Sequence, residues 1–263
     1  ASGCSAILEV ARVLATSIAN GALARPARTI RFVWPPEIEG TTTLLAARPE
    51  LARRIRAVIH MDMVGGGPVT KAIFEVHRGP GSLPSFVNDV AESFAEFVNR
   101  QTAAFAATGV SAFPLVAPEG GKEPLRAELA DFSLGSDHQV YTDASHGIPA
   151  IYFGEWPDRY IHTNFDSPAN IDPTKLKRAA FLGAAIAYAL ADLRPDQAAT
   201  VWSAIAPGSV RRSAAMLQRR AQLPPDEAAN LTRFHWRYER ALPVSMARFF
   251  PVPAPVAGEA ASF

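Results

Sequence analysis

The chain has 263 residues, 48% of them hydrophobic and 19% charged, with 26 Lys and Arg against 25 Asp and Glu. That composition supports a buried core and excludes general disorder, and a net charge of +1 leaves no electrostatic footprint for nucleic acid. A mean hydropathy of +0.04, with no unbroken apolar run of about 18 residues, argues against a membrane-spanning helix, and the only cysteine, Cys4, excludes an internal disulfide and a cysteine-based zinc knuckle.

The chain opens on Ala1-Ser2-Gly3-Cys4 and runs directly into an apolar stripe. Ile7, Leu8, Val10, Ala11, Val13, Leu14 and Ile18 recur at three- and four-residue spacing, which predicts a helix, with Gly21 as its stop. No signal-peptide pattern precedes it. A domain seldom begins in the first turn of a core helix, so the sequence is read as lacking N-terminal structure. Residues 29–34 (TIRFVW) read as a strand ended by Pro35-Pro36, and 41–47 as a short helix. Residues 55–64 (IRAVIHMDMV) are a buried-strand run stopped by Gly65-Gly66-Gly67, and 72–76 a further strand. Residues 84–107 carry helical period through Phe86, Val90, Phe94, Phe97 and Val98; 109–131 read as a long loop or insertion. Residues 149–153 form a fourth strand and 173–193 an Ala-, Leu- and Ile-rich helix. From Arg194 to residue 243 the pattern predicts two or three amphipathic helices, with breaks near Pro207-Gly208 and Pro224-Pro225, followed by a loose Pro- and Ala-rich tail over 251–263.

Strands alternating with helices predict an α/β fold: a mostly parallel central sheet with helices on both faces over residues 1–193, and a helical extension over 194–263. In such sheets function gathers where loops leave the carboxyl ends of strands. Three features stand there: Glu37 and Glu39 in WPPEIEGT, Asp62 in HMDMVG, and His162 in YIHTNFDSP. Carboxylates and imidazole are the donor set of catalytic zinc, and a further carboxylate can serve as general base. Each has a plainer reading. A lone Glu after a strand is commonly solvated or capping, and a single His seldom a ligand. Asp62 differs, because a carboxylate inside an apolar strand needs a partner, a proton or a metal. His60 shares its strand face and is read as structural. Ser136 is read as the N-cap of a helix starting near His138, with the Asp137-His138 pair alternatively shaping a pocket.

Taken in order, these segments resemble the co-catalytic zinc aminopeptidase and glutamate-carboxypeptidase-like peptidases. Ala1-Ser2-Gly3 before a helix is similar to that family's Asp-Asn-Ala-Ser-Gly helix opening, and Met61-Asp62-Met63-Val64-Gly65 to its Asp-Met-Val-Gly segment. Ser136-Asp137-His138, Gly147-Ile148-Pro149-Ala150 and the block from His162 to Asp172 follow in the family's order, so the resemblance covers about residues 1–193. It implies two zinc ions bridged by an aspartate and a water, with Asp62 binding one ion and His162 the other. Glu37 falls at the acidic turn as the catalytic carboxylate, base or ligand; Glu39 is the weaker substitute. Ser136, Asp137, His138 and Tyr160 are candidates for substrate contact, and Asp166 for orienting His162 without ligating. The resemblance places the bridging Asp two residues before Ala1 and the first His ligand further upstream, leaving three of six ligating or basic groups here and full zinc occupancy in doubt.

The function this implies is metal-dependent hydrolysis of a peptide bond next to a free N-terminus; the rival reading is a non-catalytic binding or assembly module on the same fold. The partner expected is a peptide substrate, with no nucleic acid and no membrane, and the C-terminal helices are the surface through which a homo-oligomer would form. Asp62 and His162 are expected to converge near Glu37, and Phe234 or Trp236 to be buried against 1–193 or a second subunit.

Overall fold

The computed structural model describes residues 2–253; the expectation for 254–263 lies outside them. Four strands, β1 (Val58–Met61), β2 (Ile73–His77), β3 (Glu128–Ala130) and β4 (Ala150–Trp156), form one sheet in the order β1-β4-β2-β3. β1 runs parallel to β4, with Val58 opposite Ala150 and Met61 opposite Phe153. β2 is antiparallel to β4 and parallel to β3, so two of the three pairings are parallel.

The period of two along β4 sorts its side chains onto two buried faces. Ile151 and Phe153 enter the main core with Met61, Phe74, Val76, Leu182 and Ile186. Ala150 enters a second cluster with Leu45, Ala52, Tyr141 and Ile148. The first face is covered by α1 (Ser2–Ala19), α4 (Val87–Thr108) and α6 (Pro173–Asp192), the second by α2 (Glu39–Ala47), α3 (Pro49–Ala52) and α5 (His138–Thr142). Each fully buried Phe, Leu or Ile stabilises the fold by about 1.5–3 kcal/mol, so the doubly covered β4 is its central strut.

Local chemistry sets the helix ends. Asp172 caps α6, its carboxylate accepting from the N–H groups of Thr174 (2.7 Å) and Lys175 (3.1 Å), with Pro173 at the first helical position. Gly109, at φ 75°, closes α4. By length and a mean hydropathy of 1.3, α1 is the one described helix that meets the test for a membrane span, which corrects the exclusion made from composition. Its buried stripe of Gly3, Ala6, Val10 and Leu14 is nonetheless that of an amphipathic helix packed on α6 and β1.

Several sequence expectations are corrected. Residues 29–34 pair with no described strand. The backbone is held instead to the end of α6, where Arg28 N–H donates to Ala191 O (2.9 Å) and the Arg28 guanidinium to Leu193 O (2.6 Å), and the Trp34 indole donates to Cys4 O in α1 (3.3 Å). The 109–131 segment contains β3, too short and polar to show a period. Helix α7 (Ala198–Arg220) continues through Pro207-Gly208. Pro207 faces solvent, and a side chain at Gly208 would strike the Asp89 carboxylate of α4. Helix α8 (Pro225–Val244) buries His235, Tyr238, Glu239 and Leu242, the next stripe round from the one expected. Phe234 is 49% exposed and Trp236 half-buried. Residues beyond 193 share the main core: Val201, Ile205, Leu242 and Met246 join it, and the Phe249 ring meets Phe86 edge-on at 5.2 Å.

Gly3 explains the Ala-Ser-Gly opening physically. A Cβ there would collide with the carbonyl oxygens of Met61 and Asp62, and the neighbouring Ser2 Oγ accepts the Val64 N–H (3.1 Å). The pair clamps the chain on either side of Asp62. Gly3→Ala is expected to destabilise the protein by roughly 1–3 kcal/mol through overpacking against backbone; an unchanged urea midpoint would refute the clamp.

Candidate active site

β1 and β4 are adjacent and parallel, so the loops after them leave the same sheet edge. Asp62 follows β1 directly. The glycine turn beyond it is laced to the loop that carries His162: Gly67 N–H donates to Asn170 O (2.7 Å) and Asp172 N–H to Gly65 O (2.8 Å). Beneath this junction the Glu155 side chain, 2% exposed, accepts the Gly66 N–H (2.5 Å) and pairs with Lys175 (2.8 Å), whose ammonium also donates to Gly66 O and Ala72 O. Burial raises the Glu155 pKa against the opposing pull of Lys175. The ion pair and its hydrogen bonds fix the turn after Asp62.

Glu37 is delivered by a strained turn. Ile38 has φ 58° and ψ −62°, and Glu39 N–H donates to Glu37 O (2.6 Å), which together make a γ-turn of the rarer, strained hand. A β-branched residue at positive φ is an outlier worth about 1–3 kcal/mol. It is held there by Asp137, whose carboxylate accepts the Ile38 N–H at 2.6 Å. Ile38→Gly should therefore raise Tm while loosening Glu37, and Asp137→Ala should lower Tm; equal Tm values for both variants and the parent would remove the strain account. Glu39, the weaker substitute for Glu37, is exposed in the first turn of α2, where a carboxylate complements the helix dipole.

The turn brings Glu37 Oε1 to 2.6 Å from Ser136 Oγ, and Asp62 Oδ2 lies 3.1 Å from the same oxygen. Ser136 is therefore not the helix cap predicted for it. The N-cap of α5 is Asp137, which makes no side-chain cap bond, and the Ser136 hydroxyl is spent on the two carboxylates. His60, read from sequence as structural, reaches this oxygen too, with Nε2 at 2.8 Å. Its signal was its place two residues before Asp62 on one strand face.

Behind this group rings are stacked. Tyr152 lies 4.4 Å from His138 at 7°, 4.9 Å from His77 and 5.4 Å from His60. His138 is 1% exposed and its Nε2 contacts Ser133 O at 2.7 Å. Burial, helped by the neighbouring His60 and His77, pushes its pKa down to about 4, so it is neutral and packs rather than touching solvent. Burial likewise lowers the His60 pKa against the pull of Asp62, Asp137 and Glu37, and burial and the negative charges of Asp62, Glu37 and Glu75 raise that of the Tyr152 phenol.

His162 stands in an exposed turn at φ 58°, another non-glycine residue in the left-handed region. Asp158 organises the approach by accepting the N–H groups of Tyr160 (2.7 Å) and Ile161 (3.0 Å), and the half-buried Tyr160 ring carries the Arg159 guanidinium at 5.4 Å. Asp166, also exposed, donates its N–H to Thr163 O (3.2 Å). Of the sequence candidates, the fold gathers Glu37, Asp62, Ser136 and Asp137. His162 does not complete a metal-holding group with them: among the described residues no three His, Cys, Asp or Glu side chains form one, and His60, Glu37 and Asp62 meet only around the Ser136 oxygen. The chemistry of the gathered pair still suits a divalent cation, since two carboxylate oxygens converge on a hydroxyl that carries a single proton.

The model of peptidase family M28 matches residues 1–187. No curated protein and no solved structure matches the chain.

Proposed function

This chain belongs to peptidase family M28, whose members are metal-dependent peptidases, and from that premise we propose that it serves zinc-dependent hydrolysis of the peptide bond next to a free N-terminus. The observation that carries the reading is the convergence of Glu37 and Asp62 on one hydroxyl at a sheet edge. Asp62 would hold zinc, with His162 as the imidazole donor from the loop after β4. Bound zinc would supply Lewis acidity and lower the pKa of a water from about 15.7 towards roughly 7. Glu37 takes the proton of the attacking water and returns it to the leaving amine. The turn held by Asp137 would fix the Glu37 carboxylate for this role, and Tyr160 would contact the substrate.

One observation favours a second reading, a non-catalytic binding or assembly module: among the described residues no three His, Cys, Asp or Glu side chains form a group that could hold a metal ion. Zinc content of the dialysed protein and hydrolysis of an aminoacyl p-nitroanilide separate the two. The peptidase reading expects bound zinc, activity abolished by a chelator and restored by zinc, and no cleavage of the N-acetylated substrate. Neither zinc nor hydrolysis from folded protein would leave the binding module standing.

A further inference from the structure

We propose that His60 and Ser136 are a positioning pair for Glu37: the imidazole donates its Nε2–H to the serine oxygen, which commits the single hydroxyl proton to Glu37 and leaves the facing Asp62 oxygen bare for a cation. The catalytic part of this proposal rests on the peptidase reading; the hydrogen-bond chain does not.

The argument is a count of protons. Ser136 Oγ has three partners, His60 Nε2 at 2.8 Å, Glu37 Oε1 at 2.6 Å and Asp62 Oδ2 at 3.1 Å. A hydroxyl offers one donor and two acceptor sites, and ionised carboxylates only accept. With Nε2 bare, three acceptors would compete for one proton, and two contacts would set lone pair against lone pair. With a proton on Nε2, the serine oxygen accepts on one side and donates on the other. The nearer carboxylate takes that proton at a charge-assisted distance, and the Asp62 contact is left without one. Ser136 is 1% exposed, so water competes poorly for either bond. The imidazole plane is set in advance, stacked 5.4 Å from Tyr152 and 5.9 Å from His138, on a strand whose register places His60 opposite Tyr152. Geometry of this kind fixes a reactive carboxylate without touching substrate.

The test compares His60→Gln, which retains an N–H near the Nε2 position, with His60→Phe, which retains the ring stack and removes the donor, and with Ser136→Ala. On an aminoacyl p-nitroanilide with zinc supplied, His60→Phe and Ser136→Ala are expected to lower kcat roughly 10- to 100-fold with KM within about twofold. His60→Gln should recover most of the loss, and the Phe/Ala double variant should be no worse than Ser136→Ala alone. A Gln variant as impaired as Phe, or losses that multiply in the double variant, would overturn the proposal. A long-range ¹H–¹⁵N spectrum of the unaltered protein decides the hydrogen-bond chain without reference to activity: a proton on His60 Nε2 whose resonance moves in Ser136→Ala is expected, and a bare Nε2 overturns it. If the unaltered protein cleaves no substrate, the peptidase reading fails while the spectrum still judges the pair.

Discussion

Glu37→Gln is expected to lower kcat on an aminoacyl amide by roughly 10²–10⁴-fold, with KM and zinc content close to those of the parent. Glutamine keeps the size of the side chain, and its carbonyl oxygen can still accept the Ser136 hydroxyl that Glu37 Oε1 accepts at 2.6 Å. What it loses is the ability to carry a proton. Asp62→Asn should behave differently, because it weakens a proposed metal ligand: zinc content falls, and excess zinc recovers part of the activity. Glu39→Gln should leave kcat unchanged, since Glu39 sits in the first turn of α2 and serves the helix dipole, worth about 0.3–1 kcal/mol. Full activity in Glu37→Gln would remove Glu37 from the proton path and send the search for the base back to the acidic turn.

Much of this site is legible in the sequence where a strong local pattern coincides with a chemical oddity. Asp62 interrupts an apolar run, and β1, β4, α4 and α6 are long or apolar enough for their periods to show. Glu37 is harder, since its position depends on a γ-turn at Ile38 held by Asp137, 99 residues away in the chain. No spacing rule encodes that bond. The roles of Ser136 and His60 are hidden for a related reason. A serine two residues before a helix looks like a cap, and a histidine in a strand looks like packing, until the fold brings both to the same two carboxylates. Residues 29–34 have the composition of a strand but pair with no described strand, and β propensity without a ladder does not make one. Pro207-Gly208 reads as a break, yet α7 passes through it, with Pro207 on the solvent face and Gly208 leaving room for the Asp89 carboxylate, so packing against α4 and α8 overrides the local cost of the proline. The exposed Phe234 shows that aromatic residues alone do not mark the buried stripe of α8; the buried face follows His235, Tyr238, Glu239 and Leu242, two of them polar.

That polar stripe carries the largest stability effect expected. Arg212 of α7 donates through Nε and Nη2 to Glu239 of α8, at 2.7 and 2.9 Å, and through Nη1 to Asp89 of α4, at 2.7 Å. The side chains of Asp89 and Glu239 are each 1% exposed. Burial disfavours the guanidinium charge, but the Glu239 hydrogen bonds and the attraction of Asp89 outweigh it and raise its pKa. Arg212→Met would strand two carboxylates in the interior and is expected to cost about 3–5 kcal/mol. Asp89→Asn should cost far less. Burial, with the neighbouring Glu92, pushes the Asp89 pKa up to about 6 from 3.8 despite Arg212 and Arg78, so the ionised group is a burden that asparagine lacks. The sign of the pH effect follows. Between about pH 4 and pH 6 the folded protein keeps a proton that the unfolded chain has released, so this site favours folding as pH falls through that window, by about 3 kcal/mol in full. Above pH 6 the burden is complete and constant. In urea unfolding followed by tryptophan fluorescence, Asp89→Asn should therefore compare best with the parent near pH 8 and lose that relative advantage towards pH 4. A difference independent of pH would mean that Asp89 keeps an ordinary carboxyl pKa in the fold, with Arg212 fully offsetting its burial.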